Sequence, residues 1–164
     1  MQTIRVTGPE SSGKTTLARR LAWCLDGIYV AEAARAYLHA RRGSYTDDDL
    51  PAIWEAQRQL EETALAERPS YLICDTGPEV IHVWSEVKYG HVARSVREAV
   101  ASRQYDVTLL CAPDLPWVPD PLRETPDLKQ RWELFERYRV LLPGATVITG
   151  PDRVAQALRR SLAP

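Results

Sequence analysis

The sequence alternates short apolar runs with longer stretches in which apolar residues recur every three or four positions. Five runs have the length and composition of β-strands, at residues 3–8, 27–32, 71–75, 106–111 and 145–150. Segments with helical spacing separate them, at residues 14–26, 33–42, 46–68, 79–103 (with a break near Gly90) and 152–162. Because parallel strands need long crossover connections, the alternation predicts an α/β fold, with a five-stranded parallel sheet and helices on both faces.

One segment after the fourth predicted strand departs from this alternation. Residues 113–131 contain five of the twelve prolines of the chain. Proline at this density is incompatible with the interior of a sheet or a regular helix. The segment follows a strand at the carboxyl edge of the sheet, where open α/β folds bind ligands. We therefore expect a lid or active-site loop at about 113–131; a structural surface loop is the alternative.

Composition narrows the class of protein. A length of 164 residues is typical of a single domain, expected over residues 1–164. The 21 basic and 22 acidic residues give a net charge of −1, which argues against a nucleic-acid or membrane-surface partner. No apolar run has a membrane-spanning length, and no signal peptide is evident at the N-terminus. Three widely spaced cysteines favour buried thiols in a reducing, cytoplasmic setting over a disulfide or zinc framework.

The first strand leads directly into a phosphate-binding motif. The run Gly8-Pro9-Glu10-Ser11-Ser12-Gly13-Lys14-Thr15 fits G-x-x-x-x-G-K-[ST] and precedes a predicted helix. Its backbone amides and the helix N-terminus would hold the phosphates of ATP, Lys14 would reach the β- and γ-phosphates, and Thr15 would be a Mg²⁺ ligand. The predicted nucleotide-binding residues in this motif are Gly8, Glu10, Ser11, Ser12, Gly13, Lys14, Thr15 and Thr16.

Two carboxylates end predicted strands at the same edge as this motif. Asp75 ends the apolar run YLICD and is the candidate acidic partner for Mg²⁺. Glu32 closes the second strand, where it could accept a proton from an attacking hydroxyl or bind a ribose. Either residue could serve as the base. The structural alternatives are a turn aspartate and an acidic residue that favours a helix N-terminus.

Basic residues provide candidates for stabilising charge on the phosphates. Arg123, in the proline-rich segment, is the main candidate for a catalytic and ATP-contacting role, and Lys129 and Arg131 follow within eight residues. Arg35 lies one helical turn after Glu32 and could either pair with it or bind substrate.

Aromatic residues after Asp75 are candidates for the acceptor site. Trp84 and Tyr89 lie in the run VWSEVKYG, and Glu86 lies beside Trp84. A flat cationic heterocycle would favour an aromatic face with a carboxylate nearby. Core packing is the alternative role for these aromatic residues.

With these residues in place, the chain resembles the ribosylnicotinamide kinase domain of NadR-type proteins. The resemblance covers nearly the whole chain and rests on GPESSGKT at 8–15, Glu32 with Arg35, Asp75-Thr76, the run from Trp84 to Gly90, and YDVTLL followed by PWVPDPLRE. It implies a nucleoside- and nucleotide-kinase fold with a mobile lid. The implied activity is transfer of the γ-phosphate of ATP to the 5′-hydroxyl of ribosylnicotinamide, in NAD biosynthesis. ATP and Mg²⁺ are the implied cofactors.

One departure from the family's pattern bears on the acceptor. The usual D-T-D reads Asp75-Thr76-Gly77 here, so one carboxylate expected near the acceptor is missing. Another nucleoside is an alternative acceptor, and Arg35, Arg41 and Arg42 leave a nucleoside monophosphate open. An alternative from a different class is a nucleotide-dependent ATPase or switch with a protein partner.

Overall fold

Strands and helices alternate along residues 1–163, the part of the chain that this computed structural model describes. In chain order they are β1 (Gln2–Thr7), α1 (Lys14–Cys24), β2 (Ile28–Val30), α2 (Ala33–Ala40), α3 (Asp49–Ala66), β3 (Tyr71–Asp75), α4 (Pro78–Tyr89), α5 (Arg94–Ser102), β4 (Val107–Cys111), α6 (Leu128–Leu141), β5 (Thr146–Ile148) and α7 (Arg153–Ser161).

The sheet has the strand order β2-β3-β1-β4-β5. All neighbouring strands run parallel; Ile4 on β1 pairs with Ile73 on β3 and with Val107 on β4. The predicted five-stranded parallel sheet is confirmed. The chain leaves the central strand β1 toward one edge and later crosses to the other, so a crevice forms at its carboxyl end.

Helices cover both faces of this sheet, as expected. On one face, Ile4 of β1 packs in a cluster with Leu21 of α1 and Ala157 of α7. On the other, Leu110 of β4 packs with Val83 of α4 and Phe135 of α6. Because both faces are buried, the strands are continuous apolar runs with little alternation.

The structure confirms one predicted boundary and corrects another. The helical stretch at 79–103 is divided near Gly90, as predicted, because Gly90 ends α4 in the left-handed conformation, with φ of 74°. The proline-rich segment is irregular only as far as Asp127, whose side chain accepts a hydrogen bond from the Gln130 amide at 2.8 Å and caps α6. Residues 128–131 therefore lie in the first turn of α6, and the irregular part is the 113–127 segment.

The structure bears on two expectations drawn from composition, the membrane-spanning potential of the helices and the burial of the cysteines. Within residues 1–163 no helix has both the length and the hydropathy needed to cross a bilayer. The three cysteines are free, and Cys74 and Cys111 are buried as expected. Cys24 is exposed, because it lies on the outer side of the last turn of α1, and this corrects the expectation of three buried thiols.

Candidate active site

The phosphate-binding motif at residues 8–15, called the P-loop below, connects β1 to α1 in a conformation that two of its glycines make possible. Gly8 has φ of 136°, and a Cβ there would lie 2.5 Å from the carbonyl oxygen of Cys111. Gly13 has φ of 80°, and a Cβ there would lie 2.8 Å from Leu115 Cδ1. Side chains at either position would be strained and would collide with their neighbours. The glycine requirement of the motif therefore follows from its contacts with β4 and the 113–127 segment.

Polar side chains close the loop on itself. The Ser12 hydroxyl donates to the Pro9 carbonyl at 2.7 Å, and Lys14 Nζ donates to the same oxygen at 2.9 Å. Lys14 is thus folded back over the loop at the N-terminus of α1, where amides and the helix dipole favour an anion. This arrangement is suited to binding a polyphosphate.

A cavity of about 240 Å³ extends from the P-loop. One side is formed by residues 8–16, Glu32 and Arg35. Apolar side chains of α2, α4 and α6 form the far walls, and residues 122–125 form the cover. The phosphate-binding loop and a largely apolar compartment therefore share one space.

Asp75 ends β3, is 1% exposed and does not line the cavity, but its charge acts on Glu32, which does. Its Oδ2 accepts a hydrogen bond from the Tyr29 hydroxyl at 2.9 Å, whereas Oδ1 is buried with no hydrogen-bond partner. Burial, followed by the charge of Asp75, raises the pKa of Tyr29 to about 12, so this tyrosine remains a donor. Sequence reasoning missed Tyr29; the polar end of its side chain in an otherwise apolar short strand was the available signal.

The residues predicted to bind Mg²⁺ are compatible with that ion. A P-loop site takes a hydroxyl from the chain, oxygens from the nucleotide, and a carboxylate that acts directly or through water. Thr15 lines the cavity, and the unpartnered Asp75 Oδ1 is an oxygen available for this purpose. No cluster of three His, Cys, Asp or Glu side chains in residues 1–163 would hold a metal without nucleotide.

Glu32 immediately precedes α2 and faces the cavity, half-buried. Burial raises the pKa of its carboxyl above the ordinary value; the negative charge of Asp75 adds to this, and Lys14 and Arg35 oppose it. A carboxylate with a raised pKa is a better proton acceptor near neutral pH. Glu32 thus combines the position and the basicity that a general base needs.

Two arginines predicted to contact ligands also line the cavity. Arg35 donates to Asp120 Oδ2 at 2.8 Å, so its partner is the 113–127 segment rather than Glu32. The Arg123 guanidinium lies 5.8 Å from the ring centre of Trp117 and donates to the Val118 carbonyl. Both cations are held by this segment at the edge of the cavity.

The two basic residues that follow Arg123 differ in their surroundings. Arg131 is buried, donates to the Leu115 carbonyl at 3.3 Å and lies 5.6 Å from the ring centre of Trp117. The Lys129 side chain is 86% exposed and pairs with Glu133 at 3.9 Å. Arg131 therefore faces inward and Lys129 faces outward, and neither of them lines the cavity.

Glu10 and Ser11, predicted as nucleotide-binding residues, bind the 113–127 segment through their side chains. The Glu10 carboxylate accepts from the backbone amides of Glu124 at 3.0 Å and Thr125 at 2.9 Å. The Ser11 hydroxyl accepts from the Val118 amide at 3.0 Å. Side chains at variable positions of the motif thus attach the segment to the P-loop. The bonded residues are more than 100 positions apart in the sequence, so their spacing does not reveal the contact.

Trp84 lies in the cavity wall within a polar cluster that includes three unpredicted residues. Its indole Nε1 donates to the Tyr45 hydroxyl at 2.8 Å, and the two rings meet edge to face with centres 4.7 Å apart. Lys88 pairs with Glu124 at 2.8 Å, and the Tyr45 hydroxyl donates to the same carboxylate at 2.9 Å. The cluster links α4 to the cover of the cavity.

Two other residues from the same run lie elsewhere. Tyr89 is half-buried in a cluster with Ile53 and Trp54 of α3, a packing position away from the cavity lining. Glu86 is exposed and pairs with Arg137 at 2.8 Å. The carboxylate suggested for a cationic ring beside Trp84 is therefore not Glu86, because Glu86 is exposed, pairs with Arg137 and does not line the cavity.

Gly77, where the family has aspartate, lies against a buried ion pair. A Cβ at Gly77 would lie 2.7 Å from Arg5 Cδ and 2.7 Å from Glu79 Oε2. Arg5 Nη1 and Glu79 Oε2 are 2.7 Å apart, and Glu79 has no exposed surface. Glu79 is thus neutralised in the core and does not replace the missing carboxylate in the cavity.

A sequence profile of the AAA domain family (AAA_28) matches residues 3–148 of this chain. The trifunctional NAD biosynthesis/regulator protein NadR of Salmonella typhimurium is 26% identical over 129 residues. That match covers 75% of this chain and 31% of the relative, so the chain spans about a third of the length of this relative.

Three solved structures share the fold. NadR protein in complex with NR has a TM-score of 0.74 and 20% identity, covering 98% of this chain and 50% of that chain. NadR protein with NAD and AMP-PNP has a TM-score of 0.75 and 19% identity, covering 99% and 50%. Deoxyadenosine kinase from M. mycoides with bound dATP has a TM-score of 0.62 and 11% identity, covering 99% and 100%. The fold is that of P-loop nucleoside kinases, the resemblance to NadR-type proteins is confirmed, and the chain belongs to the AAA domain family.

Proposed function

We propose that this protein is an ATP-dependent kinase that transfers the γ-phosphoryl group of ATP to the 5′-hydroxyl of ribosylnicotinamide. The observation that carries the proposal is the cavity that Lys14 and Glu32 share. A phosphate cradle lies at one end and apolar walls at the other, so a phosphoryl donor and a nucleoside can meet between a cation and a base. Phosphoryl transfer depends chiefly on such positioning and on charge stabilisation.

The residues of the chain divide the chemistry between them. As the acceptor oxygen attacks phosphorus and the bond to ADP breaks, Glu32 accepts the hydroxyl proton and Lys14 stabilises charge on the phosphate oxygens. Arg123 adds positive charge from the cover. Asp75, with Oδ2 occupied by Tyr29, offers its other oxygen to Mg²⁺ or to a ligated water. Mg²⁺, held with Thr15, would neutralise charge on the β- and γ-phosphates.

Several features support a nucleoside as the acceptor. Solved relatives of the fold include NadR protein with NR and a deoxyadenosine kinase. Of the three arginines that left a monophosphate acceptor open, Arg35 lines the cavity and is already paired with Asp120, whereas Arg41 and Arg42 do not line it, and Arg41 pairs with Asp49 at 3.0 Å. Trp84 provides an aromatic wall for a cationic ring. Ribosylnicotinamide, which is cationic, fits this environment.

We further propose that the 113–127 segment is the lid. It is attached to the P-loop through Glu10, to α2 through Arg35 and to α4 through Lys88. A closed lid excludes water, which competes with the acceptor for the phosphoryl group. This favours a transferase over a slow ATPase switch.

An ADP-release assay with an acceptor panel tests the proposal. The panel contains ribosylnicotinamide, adenosine, thymidine and their monophosphates, with a no-acceptor control and mass spectrometry of the product. We expect ADP release that requires ribosylnicotinamide and yields its monophosphate. Lys14→Ala should abolish it, whereas Lys129→Ala, at an exposed lysine, should not. ADP release that is independent of every acceptor would refute the kinase and support the switch.

A further inference from the structure

Arg153, the first residue of α7, makes a set of contacts that the proposed function does not explain. Its side chain is 9% exposed and lies behind the P-loop. Nη1 donates to the Ser12 carbonyl at 2.9 Å, Nη2 to the Ala112 carbonyl at 3.1 Å, and Nε to the Gly150 carbonyl at 3.1 Å. Nη2 also pairs with Asp114. Four of its five N–H groups are thus used, all within the protein.

The contact with Ser12 determines the direction of a peptide in the phosphate cradle. A trans peptide is planar, so the Ser12 carbonyl and the Gly13 amide point in opposite directions. Arg153, which holds the carbonyl, does not line the cavity, whereas Gly13 does, so we expect the Gly13 N–H to point away from Arg153 and toward the cavity. Without the contact to Arg153 this peptide could rotate at little cost, because glycine at position 13 has access to both signs of φ.

Arg153 is itself fixed. The Asp114 carboxylate that pairs with it accepts hydrogen bonds from the Thr149 hydroxyl at 2.6 Å and from the Gly150 amide at 2.7 Å. Burial acts to raise the pKa of Asp114, but these hydrogen bonds and the charge of Arg153 lower it overall, so the partner is ionised. The guanidinium therefore joins the ends of β4 and β5 to the P-loop through a rigid fork.

We infer that Arg153 is a positioning residue that orients the Ser12–Gly13 peptide for phosphate binding. The inference rests on the proposed function only in that the P-loop binds a polyphosphate; it is independent of the acceptor. It requires the planar fork as well as the charge. A lysine at this position keeps the charge but offers three donors from a single nitrogen, which cannot reach carbonyls on three segments.

Titration calorimetry with inorganic tripolyphosphate and with adenosine separates this role from others. Arg153→Lys should bind tripolyphosphate about tenfold more weakly, the loss expected for a charge-assisted hydrogen bond, with unchanged adenosine affinity and acceptor KM. Arg160→Lys, at an exposed arginine of the same helix, is the matched control. Asp114→Asn, which loosens the fork while keeping Arg153, should weaken tripolyphosphate in the same direction but less. Circular dichroism establishes that each variant is folded.

The outcomes distinguish the inference from the proposed function. Wild-type tripolyphosphate affinity in Arg153→Lys, or in Asp114→Asn if the lysine variant does not fold, overturns the inference. Loss of adenosine affinity alone also overturns it, because Arg153 would then shape the base site. If Lys14→Ala binds tripolyphosphate as the wild type does, the phosphate site of the proposed function is itself refuted, and the inference with it.

Discussion

Replacing Glu32 by Gln is expected to inactivate the protein while making its fold more stable at neutral pH. Glutamine keeps the size and polarity of the side chain but cannot accept the hydroxyl proton. Loss of a general base typically lowers kcat by about 10²–10⁴-fold, or about 3–5 kcal/mol of barrier. The acceptor-dependent ADP-release rate gives this value directly.

The stability change follows from the position of the carboxylate. Burial and the charge of Asp75 raise the pKa of Glu32 above its ordinary value of 4.5. A raised native pKa means that stability is fully present below the unfolded pKa and is lost as the pH rises through the native one. The Gln variant escapes this loss, so its thermal unfolding temperature should exceed that of the wild type at pH 7 and the two should converge below about pH 4.

The pH dependence of activity gives an independent readout. The wild-type kcat/KM should fall as the pH decreases through the raised pKa of Glu32, because the base becomes protonated. Glu55→Gln, at a partly exposed carboxylate of α3 that does not line the cavity, is the matched control. A Glu32→Gln enzyme that retains most of its activity, or the same acid limb, would refute the assignment of Glu32 as the base.

Three further changes test other parts of the structure. Tyr29→Phe removes the donor to Asp75 Oδ2 and should raise the Mg²⁺ concentration for half-maximal activity about fivefold, measured by Mg²⁺ titration. Arg5→Met leaves the fully buried Glu79 without its partner and should lower the free energy of unfolding by about 3–5 kcal/mol, measured in urea. Glu10→Ala frees two cover amides, which should exchange hydrogen about tenfold faster.

For each of these three variants, a control or a specific result can contradict the expected effect. Tyr71→Phe, on the neighbouring strand, should leave the Mg²⁺ dependence unchanged; an unchanged dependence in Tyr29→Phe contradicts the orienting role. Substitutions at exposed positions usually change the free energy of unfolding by less than about 1 kcal/mol. If Arg5→Met changes it by no more than that, Glu79 is not left as an uncompensated charge. Unaltered exchange at the cover amides in Glu10→Ala would show that Glu10 does not hold the segment.

The residues of the candidate site that could be predicted from the sequence are those that lie directly at the carboxyl ends of strands. Gly8, Glu32 and Asp75 each follow an apolar run, and parallel strands bring their carboxyl ends to one edge, so their convergence needed no knowledge of distant contacts. The P-loop conformation follows from the motif in the same way. The boundary at Gly90 was also visible, because a glycine at the end of a helical pattern favours the left-handed cap.

The remaining parts depend on contacts that local patterns do not encode. The 113–127 segment has no periodicity, so nothing in its spacing relates Val118 to Ser11 or Thr125 to Glu10. Lys129 and Arg131 are both basic and close in sequence, and only the start of α6 at Leu128 decides which of their side chains faces inward. Arg153 is an arginine in the first turn of a helix, where a basic residue is unfavourable for the helix dipole, and this was the available signal.

The contacts of the 113–127 segment couple the two ends of the cavity. Its amides are held by Glu10 and Ser11 of the P-loop, whereas its side chains Asp120 and Glu124 are held by α2 and α4 around the proposed acceptor site. Moving the segment to admit an acceptor must therefore break hydrogen bonds to the loop that would bind phosphate. If ATP binding reorders the P-loop, it alters the anchoring of the proposed lid, and the affinities for donor and acceptor become linked by a reciprocal coupling free energy. We therefore expect each substrate to change the affinity for the other, and we expect this coupling to be smaller in Glu10→Ala, as measured by donor affinity with and without acceptor.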